Sequence, residues 1–173
     1  MPGRESSGPS SSTLLIGVGS PLMGDDGLGL RALETIRGMF RFEPHVELLD
    51  GGTWGMNLLP FLEGADRALL LDAIDAAEAP GTLVELEGEA LPRFLSTKLS
   101  PHQIDLREVL ALAELRGTLP EVVVLGLQPG RVELEAKVGS EVEAALPRLV
   151  EAAVRRLAAW GHDPVPAAAA AGG

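Results

Sequence analysis

The chain has 173 residues, 46% of them hydrophobic but only 3% aromatic, so one domain with a Leu, Val, Ala and Ile core is expected. A net charge of -11 argues against a nucleic-acid partner, which would need clustered Lys and Arg. There is no cysteine, so disulfides, thiolate nucleophiles and Cys-ligated zinc are excluded, and any metal site must be built from Asp, Glu and His.

Residues 1–12, "MPGRESSGPSSS", lack an apolar stretch and read as a disordered tail, not a secretory signal. "TLLIGVG" (13–19) reads as a buried strand ending in glycines, and 27–40 as a helix with Leu30, Leu33, Ile36 and Phe40 at helical spacing. "HVELLDGG" (45–52) is a second strand running into a glycine turn. "GMNLLPFLEG" (55–64) is a short helix with Pro60 distorting it or lying in its first turn. A third strand lies in 66–75, and "GTLVELEG" (81–88) alternates like a half-exposed fourth.

A helix resumes from Ser100, with Leu106, Val109, Leu110 and Ala113 on one side. "EVVVLGLQPG" (121–130) is a buried strand, and "RVELEAKV" (131–138) an edge strand or extended segment. The last helix starts at a Ser140/Glu143 capping box and carries Val142, Leu146, Leu149, Ala153, Leu157 and Trp160 as its apolar stripe. Residues 163–173 read as a low-complexity tail. No run reaches the roughly 18 apolar residues of a spanning helix, so a cytoplasmic, membrane-free location is expected. Strands alternating with helices define a single three-layer α/β domain over 13–162, a mostly parallel twisted sheet with helices on both faces.

Ligands of open α/β sheets bind outside the carboxyl ends of the strands. The first strand runs into Asp25 and Asp26, the third into Asp72, and His102 sits where a helix begins. Helix capping competes for Asp25, and a turn role for Asp72, although Asp75 suits the turn better. Two adjacent Asp residues exceed what one cap requires. Ser100 as N-cap, Pro101 at the first helical position and Gln103 as the box partner place His102 in the first turn. There the helix dipole disfavours imidazolium, leaving a neutral ring able to ligate a metal. His45 and His162 are expected in solvent. Asp26, Asp72 and His102 form a two-carboxylate, one-imidazole set suited to zinc or nickel with open coordination positions. Dinucleotide, P-loop and nucleophile-elbow motifs are absent, and a Ser96/Lys98 pair reads as solvated loop.

"GVGSPLMGDDGLGLRAL", "LLDGGTWGMNLL", "LLLDAIDA", "PGTLVEL", "STKLSPHQIDLREVLALA" and "VVVLGLQPGRVEL", in this order, closely resemble the [NiFe]-hydrogenase maturation endopeptidases over about residues 13 to 160. The resemblance implies removal of a C-terminal extension from the nickel-loaded precursor of the hydrogenase large subunit. It implies that the substrate's nickel is recognised by Asp26, Asp72 and His102, with no nucleotide cofactor. Where the family often has Asn, this chain has Ser20, and Pro21 beside it stiffens the loop. Asp25 is a candidate general base. Asp50, Gly51, Gly52 and Thr53 are expected to line the substrate cleft, glycines admitting the substrate backbone. Trp54 is either an apolar contact there or a core residue. A monomer is expected. Two other classes compete: a chaperone that binds the metal-loaded precursor without cutting it, and a small-molecule metallohydrolase.

Overall fold

The computed structural model describes residues 12–20, 22, 24–52, 55–91, 101–130, 134 and 137–167, and for residues 89 and 101–107 the backbone alone. Three strands have almost wholly buried side chains: β1 (Thr13–Gly17), β4 (Arg67–Ala73) and β6 (Glu121–Leu127). Continuous apolar runs of this kind suit parallel strands covered on both faces. With β3 (Val46–Asp50) and β5 (Leu83–Glu87) they form a five-stranded sheet in the order β3-β1-β4-β6-β5. Only β5 runs antiparallel, and its alternating exposure fits an edge strand with one solvated face.

Side-chain alternation along the strands divides the core. On one face α1 (Leu28–Met39) and α4 (Ser140–Ala159) set Leu33, Ile36, Leu149 and Ala153 against Leu15, Leu69, Leu71 and Leu125. On the other, α2 (Leu59–Glu63) and α3 (Pro101–Leu115) set Leu62, Val109 and Leu110 against Leu14, Ile16, Leu70 and Val124. The expected three-layer α/β architecture is therefore the one observed. Pro60 lies in the first turn of α2, where its missing N–H leaves no gap in the helix. Among the described residues no helix is long and apolar enough to cross a membrane.

Four local expectations differ from the structure. Phe40 leaves the helix and opens β2 (Phe40–Glu43), which pairs antiparallel with β7 (Asp163–Pro166). Residues 163–166 are thus ordered strand, not tail. Pro164 and Pro166 lie two apart, so both lost donors fall on one edge of the ribbon, where a two-stranded sheet tolerates them. Most of 131–138, expected as an edge strand or extended segment, lies outside the described residues. The Ser140/Glu143 box is not made: Gly139 is the N-cap without a side-chain bond, Ser140 bonds Glu141, and Glu143 pairs with Arg31 of α1 at 2.5 Å.

His162 is the fourth. It is buried at the amino end of β1, its Nδ1 donating to the Pro44 carbonyl at 2.8 Å and its Nε2 lying 2.8 Å from the Thr13 hydroxyl. It joins the ends of the β2 and α4 segments to the main sheet. His45, in contrast, is exposed as expected. Replacing a buried, doubly bonded ring leaves a cavity and two polar groups without their partner. His162→Ala should lower the unfolding free energy by about 2–4 kcal/mol, read from the urea midpoint with an unchanged slope.

Candidate active site at the carboxyl edge of the sheet

From β1 the chain passes outward to β3 and then back across β1 to β4, so the strand order reverses between β1 and β4. Such a reversal opens a crevice at the carboxyl ends of the two strands. Gly17, the last residue of β1, is in register with Asp50 on one side and Leu71 on the other. Asp50 and Asp72 therefore end up on the same edge, flanking the loop that carries Asp25 and Asp26.

That loop is pressed directly onto the strands. Val18 N–H donates to the Leu71 carbonyl at 2.8 Å, continuing the parallel ladder past β1. A Cβ on Gly29, in the first turn of α1, would lie 2.1 Å from the Leu71 oxygen and 2.4 Å from the Val18 oxygen. Only a residue without a side chain lets the helix start so close to the backbone beside Asp72. Gly19, at φ +133°, has the Asp26 carbonyl oxygen 1.9 Å from where its Cβ would stand. The loop thus closes on itself through a 3-10 turn, Gly24–Gly27, and Ser20 N–H donates to Asp26 Oδ2 at 3.1 Å.

Asp26 and Asp72 are both fully buried. Asp72 lies inside β4, not after it, and its Oδ1 accepts the Ala73 N–H at 2.8 Å. The turn reading belongs to Asp75, which accepts N–H bonds from Ala77 at 3.1 Å and from the Gln128 amide at 3.2 Å. Across the ladder Asp72 faces Gly126, where a Cβ would meet the Asp72 carbonyl oxygen at 2.1 Å.

The cleft residues expected after the second strand join the same rim. Asp50 Oδ1 accepts the Gly52 N–H at 2.9 Å, Gly51 N–H donates to the Gly17 carbonyl at 2.7 Å, and a Cβ on Gly52 would lie 2.2 Å from the Gly19 oxygen. Thr53 and Trp54 lie outside the described residues. Gly24, Gly27, Asp50, Val138 and, from α1, Leu30, Arg31 and Glu34 line a cleft of about 290 Å³ beside this rim. A larger cleft of about 410 Å³, with Ser12, His45 and Phe61 on its walls, lies at the opposite edge, away from these carboxylates.

Pro101 opens α3, matching its expected place at the first helical position. The far end of that helix is tied to the amino edge, where Arg116 pairs with Glu63 at 2.6 Å and Glu121 N–H donates to the Asp66 carbonyl at 3.0 Å. A helix of this length spans about 22 Å, so its first turn, with His102, lies toward the carboxyl edge. The side chain of His102 lies outside the described residues, as do Ser96, Lys98 and Ser100. Among the described side chains no group of three His, Asp or Glu is close enough to hold a metal ion.

Asp25 makes contacts that local sequence does not foretell. The N-cap position of α1 is Gly27, two residues after Asp25. Instead Oδ2 accepts the Gly130 N–H at 2.7 Å and Oδ1 the Gly139 N–H at 2.6 Å. Gln128 is a second residue that sequence reading passes over. Buried after β6, it accepts the Ala76 N–H at 2.7 Å and the Glu78 N–H at 3.2 Å, organising the loop after β4.

Fold and rim define an α/β protein with three buried carboxylates, Asp25, Asp26 and Asp72, gathered about its switch point. A sequence model of the hydrogenase maturation proteases matches residues 30–156. The chain is 44% identical over 156 residues to the hydrogenase expression/formation protein HoxM of Cupriavidus necator, covering 87% of this chain and 76% of that one. It is 34% identical over 155 residues to the hydrogenase 2 maturation protease of Escherichia coli, covering 88% and 94%. The hydrogenase maturating endopeptidase HybD from E. coli shares the fold with a TM-score of 0.84 and 32% identity, over 90% of this chain and 98% of that one. The chain belongs to the hydrogenase maturation protease family, and its chemistry is that of a hydrolase, an endopeptidase.

The glycine contacts yield a paired test. Gly29→Ala drives a methyl into two carbonyl oxygens and should cost about 3 kcal/mol. Gly38, in the same helix, has nothing within 4 Å of an added Cβ. Gly38→Ala should instead stabilise by about 0.5–1 kcal/mol, both values read by thermal and denaturant unfolding.

Proposed function

We propose that this endopeptidase removes the C-terminal extension of a hydrogenase large-subunit precursor, and that it recognises the nickel already held by that precursor through Asp26, Asp72 and His102. The observation that carries this reading is the backbone contact of the first loop and α1 with the end of β4. It sets two buried carboxylates on either side of the switch point, on the edge toward which α3 begins. Family membership supplies the reaction class.

The donor set fits the task. Carboxylate oxygen and imidazole nitrogen are hard to borderline ligands, acceptable to nickel, and three of them leave coordination positions open. Open positions are what an ion arriving with its own protein ligands requires. Three such groups bind free metal weakly, so the precursor's own thiolates supply the rest of the coordination. Cleavage then depends on a correctly loaded substrate. Ordinary hydrolysis follows: an ion beside the scissile bond polarises its carbonyl or a water molecule, water adds to the carbonyl carbon, and the C–N bond breaks to release the extension. The rim loops around Asp50, Gly51 and Gly52 seat the extension in extended form, since a glycine wall admits a substrate backbone.

Mass spectrometry of the large subunit after incubation with the enzyme tests this. Wild type should shorten nickel-loaded precursor and leave nickel-free precursor intact. His102→Ala should reduce processing by about a hundredfold or more while changing stability by no more than about 0.5 kcal/mol. Equal cleavage of both precursors, or full activity of the variant, contradicts the reading. A stable complex that never loses mass would instead mark a chaperone.

A further inference from the structure

We propose that Asp25 is a positioning residue of the substrate cleft: its carboxylate ties Gly130 to Gly139 and so holds Val138, a wall of the cleft, against the first loop. The proposal rests on the reading above, in which this cleft receives the precursor.

Asp25 is 2% exposed, and its two oxygens accept N–H bonds from residues 105 and 114 positions away. Such a group contributes to tertiary placement, since neither bond belongs to its own loop. Both partners are glycines, and both are close-fitted. A Cβ on Gly139 would stand 3.2 Å from Oδ1, and one on Gly130 would stand 3.4 Å from Oδ2 and 3.3 Å from the Pro80 ring. The second bond also ends a helix. Gly139 is the N-cap of α4 in extended geometry (φ -64°, ψ 155°) and has no side chain to satisfy that end. A carboxylate delivered from another loop meets the positive pole of a 20-residue helix. Charge-assisted bonds to backbone N–H are among the stronger hydrogen bonds, and burial removes competing water.

Val138, next to the pinned Gly139, lines the 290 Å³ cleft together with Gly24 and Gly27, which flank Asp25 and Asp26 in the 3-10 turn. One carboxylate therefore sets the separation between two cleft walls: the loop carrying Asp26 and the loop ending in Val138. A general base must present an oxygen to the attacking water. Asp25 is buried with a backbone donor on each oxygen, so it has little access to a substrate-side water, which assigns it to holding the cleft's shape.

The two roles separate kinetically. With nickel-loaded precursor as substrate, Asp25→Asn should raise KM about tenfold and leave kcat within about twofold, because one N–H meets an amide donor and the wall shifts. The pH profile of kcat should keep its shape. Val138→Ala, which trims the wall and leaves the clamp intact, should raise KM in the same direction by a smaller factor. A fall in kcat of about a hundredfold or more at unchanged KM would overturn the proposal and return Asp25 to proton transfer. Wild-type KM in a folded Asp25→Asn would also overturn it. If Asp25→Asn does not fold, unchanged KM in Val138→Ala does so. Wild type assayed alongside on loaded and nickel-free precursor separates failure of metal gating from failure of the clamp, since the variants' KM is compared on whichever precursor is cut.

Discussion

The rim of this protein depends on backbone meeting backbone where the first loop and the start of α1 press on the ends of β1 and β4. Gly29 leaves room for the Leu71 and Val18 carbonyls, and Gly19 for the Asp26 carbonyl. Contacts this close have no side chain to give way, so the loop has essentially one position relative to the strands. Burying carboxylates there costs desolvation, which is offset by N–H donors aimed at them: Ser20 at Asp26, Ala73 at Asp72, Gly130 and Gly139 at Asp25. A reactive edge built on rigid strand ends and glycine contacts keeps its geometry better than one carried on free loops.

That rigidity gives the proposed gate its logic. Two carboxylates and one imidazole form a weak site for a free ion. Docking of a partner that already carries the ion turns the same contacts into an intramolecular event, with an effective concentration that can reach the millimolar range. Metal contact and chain docking then each fall short alone and suffice together. In this picture the cleft beside the 3-10 turn, lined by Asp50, Val138 and the start of α1, supplies the docking half.

The fold was legible where structure follows from local pattern. "LLIG", "ALLLDA" and "VVVLGL" are continuous apolar runs because both faces of those strands are covered, and the helices announce themselves by their stripes. The rule that ligands meet a sheet at the carboxyl ends of its strands draws attention to Asp26 and Asp72 among 25 acidic residues, and the structure buries both at that edge. What was illegible is nonlocal. Asp25 reads as a cap for its own helix, yet it serves the N-terminus of α4. The Ser140 box fails because the helix starts one residue earlier than it requires: Gly139 is the N-cap, and its carbonyl already accepts the Glu143 N–H. His162 reads as a solvated residue after a helix, because Thr13 and Pro44 are invisible from its neighbourhood in the chain. The proline-rich 163–166 resembles a tail until Phe40 and Phe42 appear opposite it.

The most direct test of the central claim is anomalous diffraction from crystals soaked with nickel or cadmium. A single peak at the carboxyl edge of the sheet, within coordination distance of Asp26, Asp72 and His102 together, is the predicted result. A peak held by other residues, or a His102 ring turned to a different face from the two carboxylates, would contradict it.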